Sequence, residues 1–505
     1  MNTSKTLSLF HAPLYKALIN LYDSNPGSYH VPGHKYGQSL DMLKELDPDA
    51  FHIFKTIMAL DVTELSVTDD LHSPAAVIAE AQNLAAMTFG AEQTFFLIGG
   101  STAGNLAMIL ASCNPGDTII VQRNIHKSVL NGLMLAQAKV VFLSPQTDPV
   151  SGLHIIPELS DVAEALTRYP ETKAVFLSNP SYYGRSVDLH LYAELVHEHN
   201  CLLLVDEAHG AHYGQHPSFP VSALQAGADA VVQSTHKTLS ALTMGAMLHV
   251  QGSSIDRDAV TSALTMIQSS SPSYPIMASL DIARAMIDVF GPSLFEKGIQ
   301  SAQAFRQWVK QSSAWLEEPA NTLNAQCDPL RVIVKDRTGR YTGYDLQQRL
   351  EKEGCWAEMA DSSHVVLLFG MSNSKADYDK LIAAFMKIEE EEQPYNDYYF
   401  AVQSPDVVNM RKFLSYSACP ISEPVLFSNR RMRRDQVEMI AATEAAGRIA
   451  AEAVIPYPPG IPILYPGELI RPDVLLFLKE LARTGAKCQG VSDPTLQKLA
   501  VIRKD

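Results

Sequence analysis

The stretch DAVVQSTHKTLSALTMGAMLHV, residues 229–250, ends a first apolar run on two hydroxyls, a histidine and a lysine: Ser234, Thr235, His236 and Lys237. An ammonium group at the end of a buried strand costs free energy unless something pairs with it or uses it. A second apolar run, CLLLVDEAHGAH (201–212), closes on Asp206. Both residues fall where strands of an open α/β sheet finish, the edge at which such sheets place their ligands. A lysine and an aspartate at that edge are what pyridoxal 5'-phosphate requires. The amine forms a Schiff base, and the carboxylate keeps the pyridine nitrogen protonated so that the ring can take up electrons. The phosphate needs its own site, and FFLIGGSTAGNLAMIL supplies one. There a strand runs into Gly99-Gly100-Ser101-Thr102 and then a helix, whose free N–H groups and dipole favour an anion. Ser234 and His236, next to the lysine in the same motif, add further donors. His126, in VQRNIHKSVLNG after another strand end, offers a flat ring that can stack on a pyridine face.

Taken singly, each of these has a bland reading: an aspartate after a strand is a cap, a histidine packs, and Gly-Gly-Ser is a turn. A dinucleotide fingerprint is the other reading of the glycine turn, but its spacing is not GxGxxG. What changes the odds is that all four features fall at one edge of one sheet. The elements that must position them can be read from residues 75–250, where short apolar runs bounded by Gly, Pro, Asn and Asp alternate with helical patterns. The candidate strands are 94–98, 118–122, 139–144, 173–178, 201–207, 229–234 and 245–250, a mainly parallel seven-stranded sheet. SPAAVIAEAQNLAAMTFG and LHLYAELVHEHN carry apolar residues at helical spacing between them. Residues 275–313 read as mostly helical. The runs LRVIVKD (330–336) and HVVLLFG (364–370), with a helix near 344–353 between them, restart a strand–helix–strand pattern in a smaller domain. The acidic run 387–399 reads as a solvated helix end, and 434–454 as helical.

The chain has 505 residues, room for about three domains of ordinary size. It is 46% hydrophobic and 19% charged, a globular composition rather than a disordered one. A formal net charge of -15 argues against nucleic acid as a partner, since phosphate contacts need a basic face. The cysteines Cys113, Cys201, Cys327, Cys355, Cys419 and Cys488 are scattered, with no CxxC pair, and read as reduced thiols rather than a metal site or a disulfide frame. Neither a signal-peptide pattern nor an apolar run of membrane-spanning length is evident, so a cytoplasmic protein without membrane partners is expected.

Seven motifs in order, HVPGHKYG (30–37), TDDLHSP (68–74), RNIHKS (123–128), VDEAHGAH (205–212), STHK (234–237), SPSYPIMASLDIAR (271–284) and YPPGIPILYPGE (457–468), resemble the Orn/Lys/Arg decarboxylase family. More narrowly, they resemble its shorter Gram-positive-type members, which lack an N-terminal wing domain. The resemblance implies a PLP-dependent transferase-like large domain of the aspartate aminotransferase fold type I, with smaller C-terminal α+β domains. The implied organisation is 1–74 as a dimer-interface and active-site segment, 75–315 as the PLP-binding domain, 316–390 as a small domain and 391–505 as a C-terminal region. It further implies decarboxylation of lysine, arginine or ornithine to cadaverine, agmatine or putrescine, as part of polyamine biosynthesis, by at least a homodimer. Lys237 would carry the cofactor, Asp206 would face its pyridine nitrogen and His126 would stack on it. Ser101, Thr102, Ser234 and His236 would hold its phosphate, and His209 would lie beside the ring or the reacting carbon. The glycine turn here, GGSTAGN, departs from the GTS form common in the family, which leaves the individual phosphate contacts open. Glu468, or Asp69 and Asp70 reaching across a subunit boundary, would receive the substrate's distal cation. His34 and Lys35 carry an active-site or interface role that the residues themselves leave undefined. An aminotransferase or lyase of the same fold, or an inactive regulatory homologue, are the competing readings.

Overall fold

A computed structural model describes residues 10–390, 420–428, 434–456, 462–484 and 488–503. Residues 391–399 of the acidic run, Cys419 and residues 457–461 of the proline-rich motif lie outside them. The seven expected strands all form: β1 (Gln93–Leu97), β2 (Thr118–Gln122), β3 (Lys139–Leu143), β4 (Ala174–Ser178), β5 (Leu202–Asp206), β6 (Ala230–Gln233) and β7 (Ala246–Val250). A short eighth strand, β8 (Val425–Leu426), joins them. The chain divides into two units, and each carries four of these strands.

The first unit comprises Met1–Ser112, Asp188–Ala193 and Leu202–Glu296. In it β5 and β6 run parallel, with Asp206 opposite Val232, while β7 pairs antiparallel with both β6 and β1. Every residue of β6 and β7 is buried, which explains why both read as mostly apolar runs, broken only by Gln233 and His249, rather than alternating ones. The helix Gly100–Ser112 follows β1 and lies close on the strands. A Cβ at Gly104 would come within 2.4 Å of Val232 Cγ2 and 2.9 Å of Leu97 Cδ1, so only glycine admits that approach. The N-terminal helix Pro13–Asp23 is fastened by the motif SPSYPIMASLDIAR: buried Asp281 accepts the Leu14 amide at 2.9 Å and pairs with buried Arg284 at 2.5 Å.

The second unit comprises Cys113–Val187, Glu194–Cys201 and Lys297–Asp505. Here β2 runs parallel to both β3 and β4, and β8 closes antiparallel on β3. The smaller strand–helix–strand region is also present. Arg331–Asp336 and Val365–Leu368 form the middle of a four-stranded antiparallel sheet, with the helix Gly343–Lys352 between them in sequence. One expectation is corrected. Residues 434–454 are not helical: Val437–Ala441 is a strand paired antiparallel with Lys498–Ile502. The alanine-rich composition favours a helix locally, but Gly447 sits at φ +72 and turns the chain. The turn lets Ala450, Val454, Leu464, Leu478 and Leu499 share one buried cluster, and this packing outweighs the local preference. Among the described residues no helix is long and apolar enough to cross a membrane.

Candidate active site

In the first unit the two strand-end residues sit in defined surroundings. β5 ends on Asp206, which is 4% exposed and accepts the Asn105 amide at 2.8 Å on Oδ2 and the Ala208 N–H at 3.0 Å on Oδ1. β6 leads through Ser234 into a single helical turn, Thr235–Thr238, which projects Lys237. The Lys237 Nζ lies 3.0 Å from His209 Nε2. Asn105, which sequence reasoning passed over, connects the helix after the glycine turn to Asp206. Its signal was a polar residue on the side of that helix otherwise lined by Ala103, Gly104 and Met108.

The residues expected to hold a phosphate fit that task in chemistry. Ser234 Oγ is buried with no hydrogen-bond partner among the described residues, an arrangement that costs about 1–3 kcal/mol unless a ligand completes it. Ser101 and Thr102 stand in the first turn of Gly100–Ser112, where amides have no carbonyl within the helix to donate to. His236 Nδ1 donates to Gly245 O at 2.9 Å, which leaves Nε2 for another partner. The Gly100 amide is already spent on Met244 O at 2.8 Å, so an anion would be met from Ser101 onward.

Asp69 and Asp70 serve different ends. Burial would raise the Asp69 carboxyl, but the Ala75, Ala76, Asp70 and Ile78 amides hold it below the usual carboxylate range. It thus fastens the start of the helix Val77–Phe89. Asp70 gives Oδ1 to the His72 amide at 2.8 Å. The motif HVPGHKYG closes largely on itself. His34 Nε2 meets Asp61 at 3.1 Å, His34 Nδ1 accepts the Gly37 amide at 3.2 Å, and Lys35 Nζ donates to His30 O.

In the second unit His126 begins the helix Lys127–Ala136, its Nδ1 accepting the Ser128 amide at 3.2 Å, which leaves the neutral ring's proton on Nε2. Three residues earlier, Arg123 makes a two-pronged pair with Glu468, Nη1 donating to Oε2 at 3.1 Å and Nη2 to Oε1. The guanidinium lies over Phe142 and Tyr465, rings stacked 4.4 Å apart, and the Tyr465 hydroxyl donates to Arg123 O at 2.7 Å. Side chains 11% and 9% exposed make this a buried pair. Glu468, expected to receive a substrate cation, could do so only by surrendering Arg123.

The sequence was compared with known proteins. The model of the Orn/Lys/Arg decarboxylase major domain matches residues 12–377, and that of the family's C-terminal domain matches residues 420–496. The chain belongs to the Orn/Lys/Arg decarboxylase family. It is 41% identical over 486 residues to the uncharacterized protein YaaO of Bacillus subtilis, covering 95% of this chain and 96% of that one. With the arginine decarboxylase of Bacillus anthracis it shares 34% identity over 507 residues, 99% of this chain and 98% of the relative. The solved lysine decarboxylase A of Pseudomonas aeruginosa superposes with a TM-score of 0.81 at 22% identity, covering 99% of this chain and 81% of that one, a likeness of fold. The protein is therefore a decarboxylase with pyridoxal 5'-phosphate as cofactor, built on the α/β fold expected for it.

This decarboxylase also buries an acid that its site does not obviously need. Glu207, next to Asp206, is fully buried. Burial pushes it up to about 8, against the hydrogen bonds from Gln233 and Ala223 and with Asp206 adding repulsion. Between its ordinary value of 4.5 and about 8, the folded chain keeps a proton that the unfolded chain has released. Stability held below the lower value is therefore lost as pH rises through that window. Replacing Glu207 with Gln removes this component. Thermal melts of the two proteins from pH 5 to 8 should show the wild-type Tm falling relative to that of the variant; parallel curves would refute the buried, protonated acid.

Proposed function

We propose that this decarboxylase converts L-arginine to agmatine and carbon dioxide in the cytoplasm, as a homodimer at least. The observation that carries the chemistry is the Lys237–His209 contact of 3.0 Å in the same unit as the buried Asp206–Asn105 pair. Support for arginine comes from the near full-length likeness to an arginine decarboxylase.

Pyridoxal phosphate, when bound, supplies the electron sink for the pair left behind as carbon dioxide departs. Asp206 would hold the proton on the ring nitrogen. Ser101, Thr102, Ser234 and His236 would bind the phosphate, and His126 is assigned the ring face by its type and its place after a strand end. Lys237 would hold the cofactor through its amine, and Lys237 or His209 would deliver a proton to the α-carbon. For the distal guanidinium we favour Asp70 over Glu468, because Glu468 is committed to Arg123, whereas Asp70 spends one oxygen on the His72 amide. A planar cation suits a carboxylate with geometry to offer.

A second copy of the chain is favoured by the apolar side chains left in solvent early in the chain. Tyr29 is 98% exposed, and Val31, Met42, Leu46, Ile53 and Phe54 are exposed with it. The free thiols Cys113 and Cys201 suit a reducing compartment.

The test is carbon dioxide release by the purified protein supplied with pyridoxal phosphate, measured separately on arginine, lysine and ornithine. We expect kcat/KM for arginine to exceed the other two by at least about tenfold, the discrimination that a matched polar contact provides. Preference for lysine or ornithine would overturn the substrate, and release from none of the three would overturn the reading altogether.

A further inference from the structure

Gln233 and Glu207 are the immediate neighbours of Ser234 and Asp206, and neither has a part in the reaction as described. Both are buried, Glu207 at 0% and Gln233 at 1% exposure, and their side chains meet. Gln233 Nε2 donates to Glu207 Oε2 at 2.7 Å, and Glu207 Oε1 accepts the Ala223 N–H at 2.8 Å. On the other side, Gln233 Oε1 lies 3.2 Å from His249 Nε2, and His249 Nδ1 lies 2.8 Å from Thr94 Oγ1. The result is a continuous polar chain from the end of β5, across β6 and β7, to β1.

As placed, the glutamine amide donates to Glu207 and its oxygen faces His249, whose Nε2 then carries the hydrogen and whose Nδ1 accepts from the Thr94 hydroxyl. When Glu207 holds a proton, its O–H can donate to a turned Gln233 amide and each bond reverses, so the chain stays complete in either state. Burial pushes His249 down to about 3, so the ring stays neutral. Apolar side chains could fill the same space. They would set the strands' register through shape and pattern alone, whereas a slip in a buried hydrogen-bond chain also leaves polar groups unpaired.

We propose that Glu207, Gln233, His249 and Thr94 form a buried spine that fixes Asp206 and Ser234 in register, and with them the spacing of the groups that hold the cofactor's ring nitrogen and its phosphate. Glu207 is thus a positioning residue, and the proposal rests on the cofactor-site reading above. The neighbouring residues mark the contrast. The spine uses the polar atoms of residues 207 and 233, while the Ser234 hydroxyl has no partner among the described residues.

The test compares Glu207→Gln with Glu207→Leu, reading the Kd of pyridoxal phosphate for the apoprotein, the Tm of the apoprotein and kcat. In Glu207→Gln the new amide can keep its oxygen on the Ala223 N–H and donate to Gln233. The Gln233 amide then turns over, and His249 takes its other tautomer and donates to Thr94, so the chain re-forms in reverse. We expect Kd and kcat within about twofold of wild type. Glu207→Leu leaves the Ala223 N–H and the Gln233 amide without their acceptor, and we expect Kd to rise at least tenfold in protein that is still folded. A lowered Tm with unchanged Kd would make the spine merely structural and overturn the proposal. Should Glu207→Leu fail to fold, Gln233→Leu removes the bridge from the other side, and an unchanged Kd there is equally decisive. Failure of the underlying reading shows in the wild type instead, as absence of pyridoxal phosphate binding or of carbon dioxide release.

Discussion

Replacing Lys237 with Ala is expected to lower carbon dioxide release by about 10³-fold or more while leaving the fold intact. Two losses combine. The amine we propose bonds the cofactor disappears, and so does the partner of His209 across 3.0 Å. Because Lys237 stands on a single turn after β6 and is itself only half buried, its truncation removes little packing, so the apoprotein Tm should move by a few degrees at most. The informative readout besides turnover is covalent. Borohydride treatment of the wild type should fix the cofactor to the peptide containing residue 237, visible as added mass, and the Ala variant should show none. Lys237→Arg retains a cation near His209 and should be equally inactive, which separates bond formation from charge. Turnover surviving in either variant would remove Lys237 from the chemistry.

Where legibility ended follows from physical range. Strands buried on both faces announce themselves as apolar runs, and the residue that ends such a run lies at the sheet edge, so Asp206 and Lys237 could be found without coordinates. Asn105 could not. Its meaning depends on a helix lying near enough to β6 for Gly104 to touch Val232, which no local pattern encodes. Thr94, Glu207, Gln233 and His249 look like isolated polar residues in or beside apolar runs, and only strand pairing, with Thr94 opposite His249, brings them together. Glu468 was noticed, but its partner Arg123 stands 345 residues away in sequence. A glutamate after a proline-rich loop looks the same whether it awaits a substrate or already holds a guanidinium. The reading of 434–454 as a helix went astray for the related reason that alanine-rich propensity is a weak local preference, reversible by pairing with a strand at the end of the chain.

Asp206→Asn should separate holding the cofactor from activating it. Asparagine matches aspartate in size, and its amide oxygen can still accept from either the Ala208 N–H or the Asn105 amide, which in the wild type lie 3.0 and 2.8 Å from the carboxylate. Binding should therefore weaken only modestly. What asparagine lacks is the negative charge we propose keeps a proton on the ring nitrogen, and with it the ring's capacity to draw electrons from the reacting carbon. That demand is greatest at the transition state, so the loss should appear in kcat, by about 10²-fold or more, with KM little altered. Asn105→Ala makes the complementary case. It leaves the charge in place but strips Oδ2 of its donor, and a smaller fall in kcat is the outcome that fits an orienting contact. If Asp206→Asn instead left kcat near the wild-type value, the carboxylate would be no more than the cap of the Ala208 turn. The electron sink would then need its proton from elsewhere, and the arrangement around the end of β5 would have to be understood as architecture alone.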